Sequence, residues 1–288
     1  MEMVRTEHLT YTYSAGTPFQ STAIKDVDLS IESGEFVGLI GHTGSGKSTL
    51  IQHLNGLIRP DSGKVFIDGE DIWAEPKKIR RFRFKVGLVF QYPEYQLFEE
   101  TVRKDIAFGP RNMGLSDDET AARVARASSA VGLGKEYLDK SPFELSGGEK
   151  RRVAIAGVLA MEPRVLILDE PTAGLDPRGR EKILGEIKTY HENTGATIIL
   201  VSHSMEDVAR FASRVLIMDH GELAASGTVS EVFSRSEFLD AMGLSAPQVT
   251  RIFSELRRRG IDVPADVFTV ERARDVLLSL LSKGGARK

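Results

Sequence analysis

The sequence predicts an α/β protein built on a parallel sheet, and three observations carry that prediction. Short apolar runs alternate with helical stretches: 165–168, a helix from about 177 to 193, 197–201, a helix from about 205, and 214–218. Alternation of this kind pairs parallel strands through covering helices. The apolar run Phe36–Ile40 leads into Gly41-His42-Thr43-Gly44-Ser45-Gly46-Lys47-Ser48, and a helix over 48–57 follows. Strand, glycine loop and helix in that order make a phosphate-binding unit. A further apolar run, Val165-Leu166-Ile167-Leu168, ends in the paired carboxylates Asp169 and Glu170.

The remaining elements follow in order. Residues 4–13 read as a strand, 14–18 as a turn, and 23–31 as an edge-type strand with Ile24, Val27, Leu29 and Ile31 on it. Between Phe82 and Ala160 the pattern is helical, clearest over 116–131, where Ser116 and Glu119 make a capping box. The composition shifts near Ser234, dividing the chain into 1–233 and a small helical unit, 234–288. That unit carries two apolar stripes at helical spacing. One is Val249, Ile252, Phe253 and Leu256; the other is Val270, Ala273, Leu277, Leu280 and Leu281. The link 260–264 separates them, and residues 283–288 read as a frayed basic tail.

Composition narrows the function classes. The 288 residues are 41% hydrophobic and 27% charged, with a formal net charge of −3, a balance that argues against a nucleic-acid binder. With no cysteine, disulfides, thiolate catalysis and thiolate metal sites are excluded. Residues 1–13 lack the apolar core of a secretory signal, and no apolar stretch nears the roughly 18 residues of a spanning helix. If the protein works at a membrane, it docks there through a partner.

The motifs carry phosphate chemistry. In the loop, glycines let backbone N–H groups converge on phosphate oxygens, and the following helix points its positive end at the same anion. Lys47 is placed to reach the β- and γ-phosphates, and Ser48 offers a hydroxyl to Mg²⁺. Asp169 suits Mg²⁺ through its water shell. Glu170, one residue on, suits a general base that polarises a water for in-line attack. His203 follows the strand 197–201 and can contact the γ-phosphate. Ser146-Gly147-Gly148-Glu149 opens a second helix with Ser146 at its N-cap and two glycines exposing backbone N–H groups, a second anion site. A two-fold dimer can sandwich ATP between one copy's glycine loop and the other's second site.

The set 41–49, Gln91, 145–149, 168–170, 173–176 and His203 resembles the ATP-binding-cassette ATPases, over about residues 1–230. The resemblance implies a P-loop nucleotide-binding domain: a RecA-like parallel core, an antiparallel β subdomain and a helical signature subdomain, with an α-rich extension here. It implies ATP and Mg²⁺ as ligands, bound through Gly41 to Thr49 and, from the partner, Ser146 to Glu149. Gln91 becomes a Mg²⁺-sensing glutamine that also touches the transport partner, and Asp176 a residue acting across the dimer. An aromatic ahead of the glycine loop stacks on adenine: Tyr13 first, Tyr11 as alternate.

A narrower resemblance lies in residues 90–98, followed by Thr101-Val102 and 107–110, with Gly41-His42-Thr43 and 51–56 in support. This segment looks like that of energy-coupling-factor (ECF) transporter ATPases, in particular the second ATPase of the pair. It implies a homo- or heterodimer of cassettes on the cytoplasmic face of the cell membrane, bound to a transmembrane scaffold with a separate substrate-binding subunit. It also implies dimer contacts in the C-terminal unit. A soluble cassette of DNA repair or translation is the rival, but such proteins carry coiled-coil insertions or a tandem cassette. A binding module without catalysis is disfavoured by Glu170 and His203.

Overall fold

A computed structural model describes residues 1–285, and two sheets organise it. The strands are β1 (Glu2–Tyr13), β2 (Ser21–Glu32), β3 (Phe36–Ile40), β4 (Ser62–Ile67), β5 (Glu70–Asp71), β6 (Val86–Val89), β7 (Val165–Asp169), β8 (Thr197–Val201), β9 (Arg214–Asp219) and β10 (Glu222–Thr228). The first sheet has four strands in the order β2-β1-β4-β5, all antiparallel. The second has six in the order β10-β9-β3-β8-β7-β6, parallel except for the β9–β10 hairpin.

Every residue of β3, β7 and β8 is buried, as expected of parallel strands covered on both faces. One core lies between the two sheets, built from Leu9, Ile24, Leu39, Ile51, Ile167 and their neighbours. A second covers the other face of the parallel sheet. Its helices are α3 (Val102–Asn112), α4 (Asp117–Ala130), α5 (Gly147–Leu159) and α6 (Pro177–Thr194), which follow α1 (Lys47–Leu54) and α2 (Ile79–Lys85).

The structure departs from the sequence expectations in several places. Val86–Val89 is a strand inside the stretch expected to be helical, because four fully buried residues are too short to show a period. β4 and β5 had no expectation, and neither did β10, whose ELAASGT sequence is barely apolar. The α1 helix ends at Leu54 rather than Leu57, where Gly56 turns the chain at φ 71°.

Beyond α7 (Met205–Phe211) lie α8 (Val229–Phe233), α9 (Ser236–Ala241), α10 (Gln248–Arg258) and α11 (Val270–Gly285). Phe233, Leu239, Leu244, Ala246 and Phe268 pack with Ile40, Val208 and Ile217, so this stretch rests on β3, α7 and β9. The Gln248 N–H also donates to Glu206 at 3.1 Å. The two stripes meet in a small cluster of Phe253, Val263, Val267 and Ala273, with Val249, Leu256, Val276 and Leu280 beside it. Ile252, Leu277 and Leu281 face outward instead. Residues 286–288 of the expected tail lie outside the described residues, while α11 runs through Gly285. No described helix is long and apolar enough to cross a membrane.

Phe253 is the largest side chain of that small cluster and is 1% exposed. Phe253→Ala should cost about 3–5 kcal/mol in that unit. Hydrogen exchange should then show α10 and α11 losing protection while β3, β7 and β8 keep theirs.

Candidate nucleotide site

Parallel register brings the chemistry to one level. Leu39 pairs with Val201, and Val201 with Asp169, so the loops after β3, β8 and β7 leave the sheet side by side. Ligands of open α/β sheets bind at this carboxyl end. The Glu170 N–H donates to Val201 O at 3.0 Å, holding the acidic turn against β8.

The glycine loop needs its glycines for close approach. A Cβ on Gly41 would stand 2.3 Å from Met218 O, and one on Gly46 2.5 Å from Ala23 O. Gly46 also sits at φ 103°, where other residues are strained. Ser45 is fully buried and accepts from the Gly221 N–H at 3.0 Å through its carbonyl. His42 and Thr43 lie at the loop surface, and Gly44, at φ 82°, has open space around it.

Lys47 is buried, its Nζ donating to Gly41 O at 2.7 Å and His42 O at 2.9 Å. Burial lowers its pKa, against the nearby charges of Glu170 and Asp169. Ser48 Oγ donates to Asp169 Oδ2 at 3.4 Å. Burial raises the Asp169 carboxyl, opposed by the Ser48 hydrogen bond and Lys47. Two oxygen donors this close, one a carboxylate, fit a hard cation such as Mg²⁺.

Burial, with the Asp169 charge added, pushes the Glu170 carboxyl up to about 7. Its Oε1 is buried without a hydrogen-bond partner, and His203 Nε2 lies 3.5 Å away. Burial, and then the Lys47 charge, lowers the His203 imidazole. An acidic oxygen with a free lone pair beside an imidazole can order and deprotonate a water.

The aromatic alternatives separate. Tyr11 packs on the core and meets the His53 ring edge-on, with centroids 5.0 Å apart. Tyr13 is 39% exposed, and its hydroxyl lies 3.3 Å from Thr49 Oγ1 on the loop's helix.

Gln91 follows β6, whose Val89 pairs with Leu168, so it emerges beside the acidic turn with its side chain exposed. Ser146 caps α5 in a full capping box: its hydroxyl accepts from the Glu149 N–H, and Glu149 accepts from the Ser146 N–H at 2.8 Å. Ser146 and Gly147 are exposed, and a Cβ on Gly147 or Gly148 would meet nothing. Among the described residues no hydrogen bond joins 145–149 to 41–49. Asp176 caps α6, accepting from the Gly179 N–H at 2.6 Å.

The site is an open face rather than a deep cavity. A cleft of ≈ 530 Å³ runs between Gly41, His42 and His203 and, from the C-terminal unit, Leu244, Gln248 and Arg251. Another cavity, ≈ 790 Å³, lies at the opposite end of the sheet beside Glu162, Tyr190 and Gly195 and holds none of these groups.

With this geometry in place, comparison with known proteins decides the family. The ABC transporter family model matches residues 24–173. The chain belongs to that family. It is 58% identical over 280 residues to the energy-coupling factor transporter ATP-binding protein EcfA2 of Clostridium tetani, covering 97% of each chain. It is 49% identical to the protein of that name in Listeria monocytogenes, covering 98% of this chain and 99% of the relative. Among solved structures it resembles cbiO1 of Clostridium perfringens, described as part of the ABC transporter complex cbiONQ. There the TM-score is 0.75 at 39% identity, over 89% of this chain and 99% of that one. A second likeness is to the MJ0796 cassette, a dimer in a post-hydrolysis state bound to ADP and Pi. Its TM-score is 0.71 at 31% identity, over 79% of this chain and 99% of that one. The chain is thus an ECF-type ABC transporter ATPase, which couples ATP hydrolysis to transport.

One group at this cassette's site escaped sequence reasoning. Arg151, 3% exposed, holds Glu94 through two hydrogen bonds of 3.0 and 2.6 Å. Its other arm donates to Pro171 O at 3.2 Å and Ala173 O at 2.6 Å. One guanidinium therefore ties α5, the segment after Gln91 and the turn after Glu170. Burial acts to raise the Glu94 carboxyl, but the Arg151 hydrogen bond and charge outweigh it and hold the pKa below 4.5. No local signal singles it out, since it stands between Lys150 and Arg152 in a basic run.

Arg151→Leu leaves Glu94 without its partner and two carbonyls without their donor. It should cost about 2–4 kcal/mol, discounted from a fully buried pair because Glu94 is partly solvated. A carboxylate with a lowered folded pKa contributes stability above its unfolded value and loses it as pH falls through the folded one. The gap in melting temperature between wild type and variant should therefore narrow below about pH 4.5.

Proposed function

We propose that the chain is one of a pair of cassettes that power an ECF-type importer for a vitamin or transition-metal micronutrient. In this reading it sits on the cytoplasmic face of the membrane beneath a transmembrane scaffold, with a separate membrane subunit choosing the substrate. The observation that carries the catalytic part is the convergence of Lys47, Ser48, Asp169 and Glu170 at the ends of β3 and β7. The name and near-complete overlap of the EcfA2 relatives support the transporter class. The cbiO1 likeness supports membrane partners, and the MJ0796 likeness supports a dimer.

In this reading the loop amides of 41–49 wrap the β- and γ-phosphates, and Lys47 exchanges its carbonyl partners for phosphate oxygens. Tyr13 offers its exposed ring to adenine. Bound Mg²⁺, held by Ser48, Asp169 and Gln91, supplies charge neutralisation on the phosphate oxygens. Glu170 takes a proton from the attacking water while His203 contacts the γ-phosphate. The open Ser146–Glu149 helix start completes the site of the opposite subunit, where Asp176 also contributes. Closure of the pair then moves the scaffold.

The docking surface is expected next to Gln91. Phe98 and Phe108 meet edge-on with centroids 5.0 Å apart and are 57% and 47% exposed, and Tyr95 on the same segment as Phe98 is 83% exposed; none has a role in phosphate chemistry. The outward Ile252, Leu277 and Leu281 supply a second apolar face, for the partner cassette.

Glu170→Gln keeps the shape of the site but removes the base. With the natural partners present, ATP binding should persist while turnover falls at least ~10²-fold. Turnover near wild type would remove Glu170 from the mechanism. Changing Tyr95, Phe98 and Phe108 together to Ala should leave ATP binding intact and reduce scaffold retention in a pull-down.

A further inference from the structure

Two histidines and a carboxylate converge beside the first turn of the glycine loop. His42 belongs to the loop, Asp219 ends β9, and His220 forms the tight turn into β10 at φ 45°. One ligand atom from each lies within 4.8 Å of the others. His42 Nε2 is 2.9 Å from Asp219 Oδ1, and His220 Nε2 is 3.8 Å from the same oxygen.

The hydrogen-bond inventory of His42 is unusual. Its Nδ1 lies 2.8 Å from the Thr43 carbonyl oxygen, which only accepts, so Nδ1 carries the hydrogen. At 2.9 Å from Asp219 Oδ1, Nε2 is either an imidazolium N–H donating to the carboxylate or, with that proton gone, an open nitrogen beside a carboxylate oxygen. The second state, with Nδ1–H on a carbonyl and Nε2 open, is that of metal-bound histidine. Two imidazoles and a carboxylate suit zinc, nickel or cobalt rather than magnesium. Two ligands at roughly 2.1 Å from a tetrahedral ion stand about 3.4 Å apart, so His42 and Asp219, now at 2.9 Å, part by about half an ångström to take one.

The supporting frame is already in place. The Gly221 N–H donates to Ser45 O at 3.0 Å, and Gly221 O accepts from the Lys25 N–H at 2.8 Å. The hairpin is thereby fixed against the loop, with Asp219 facing His42. His220 is 78% exposed.

We propose that His42, Asp219 and His220 form a site for a divalent transition cation that fastens the start of the glycine loop to the β9–β10 turn. It is separate from the Ser48–Asp169 pair and independent of which solute the transporter carries.

The test is calorimetry of the full chain with Zn²⁺ as the only added transition metal, in nucleotide-free buffer containing Mg²⁺. One saturable Zn²⁺ site is expected. Asp219→Asn and His220→Ala should each weaken it at least ten-fold. His8→Ala, in the exposed cluster with Asp26 and Asp28, should leave it unchanged. If Asp219→Asn fails to fold, His220→Gln at the exposed turn replaces it. Zinc K-edge absorption of the loaded wild type should show two imidazole ligands. No binding up to about 1 mM would leave the His42–Asp219 contact as an imidazolium–carboxylate ion pair only and overturn the proposal. Equal binding by wild type and both hairpin variants would overturn it as well, as would absorption showing fewer than two imidazoles.

Discussion

The alignment of Leu39, Val201 and Asp169 across three parallel strands is the constraint on which the site depends. Parallel pairing has one register in which these strands end together, and their buried residues leave no freedom to slip. From that edge the glycine loop, the acidic turn and the His203 turn emerge in contact. Close packing then forces glycine at 41 and 46, where Met218 O and Ala23 O leave no room for a side chain. The same closeness keeps water from Lys47, Asp169 and Glu170, which is why burial heads the causes of all three pKa shifts.

The parts of this arrangement legible in the sequence are those written in contiguous residues. The glycine loop, the strand ending in Asp169-Glu170 and the Ser146 helix start each carry their reason within a few positions. The capping box at Ser116 was equally local, and the structure has it. What stayed hidden depends on distant partners. Arg151 meets Glu94 from 57 residues away and Pro171 from 20, and no spacing rule marks either pair. The β6 strand was hidden by its brevity, and β10 by its weak hydrophobicity. The stripes of α10 and α11 were visible, but not that Phe253 turns inward while Ile252 faces out, since that division is set by the angle at which the helices meet.

Arg151 suggests how the motifs communicate. Glu94 lies three residues after Gln91 and is tied to α5 and to the turn after Glu170 by one rigid guanidinium. Planar, multiply bonded Arg transmits orientation better than a flexible ammonium. The exposed rings at Tyr95 and Phe98 lie on that same segment, joined through Arg151 to α5 and to the turn after Glu170.

The central claim is that this cassette binds ATP with its own glycine loop but hydrolyses it only across a pair, with Ser146 serving the opposite site. Ser146→Arg tests it most directly, by comparing calorimetric ATP affinity of the single chain with ATP turnover of the assembled pair. The account predicts unchanged affinity in the chain alone and loss of turnover at the opposite site in the pair. A drop in the lone chain's ATP affinity, with turnover of the opposite site intact, would place the signature in its own nucleotide site and contradict the account.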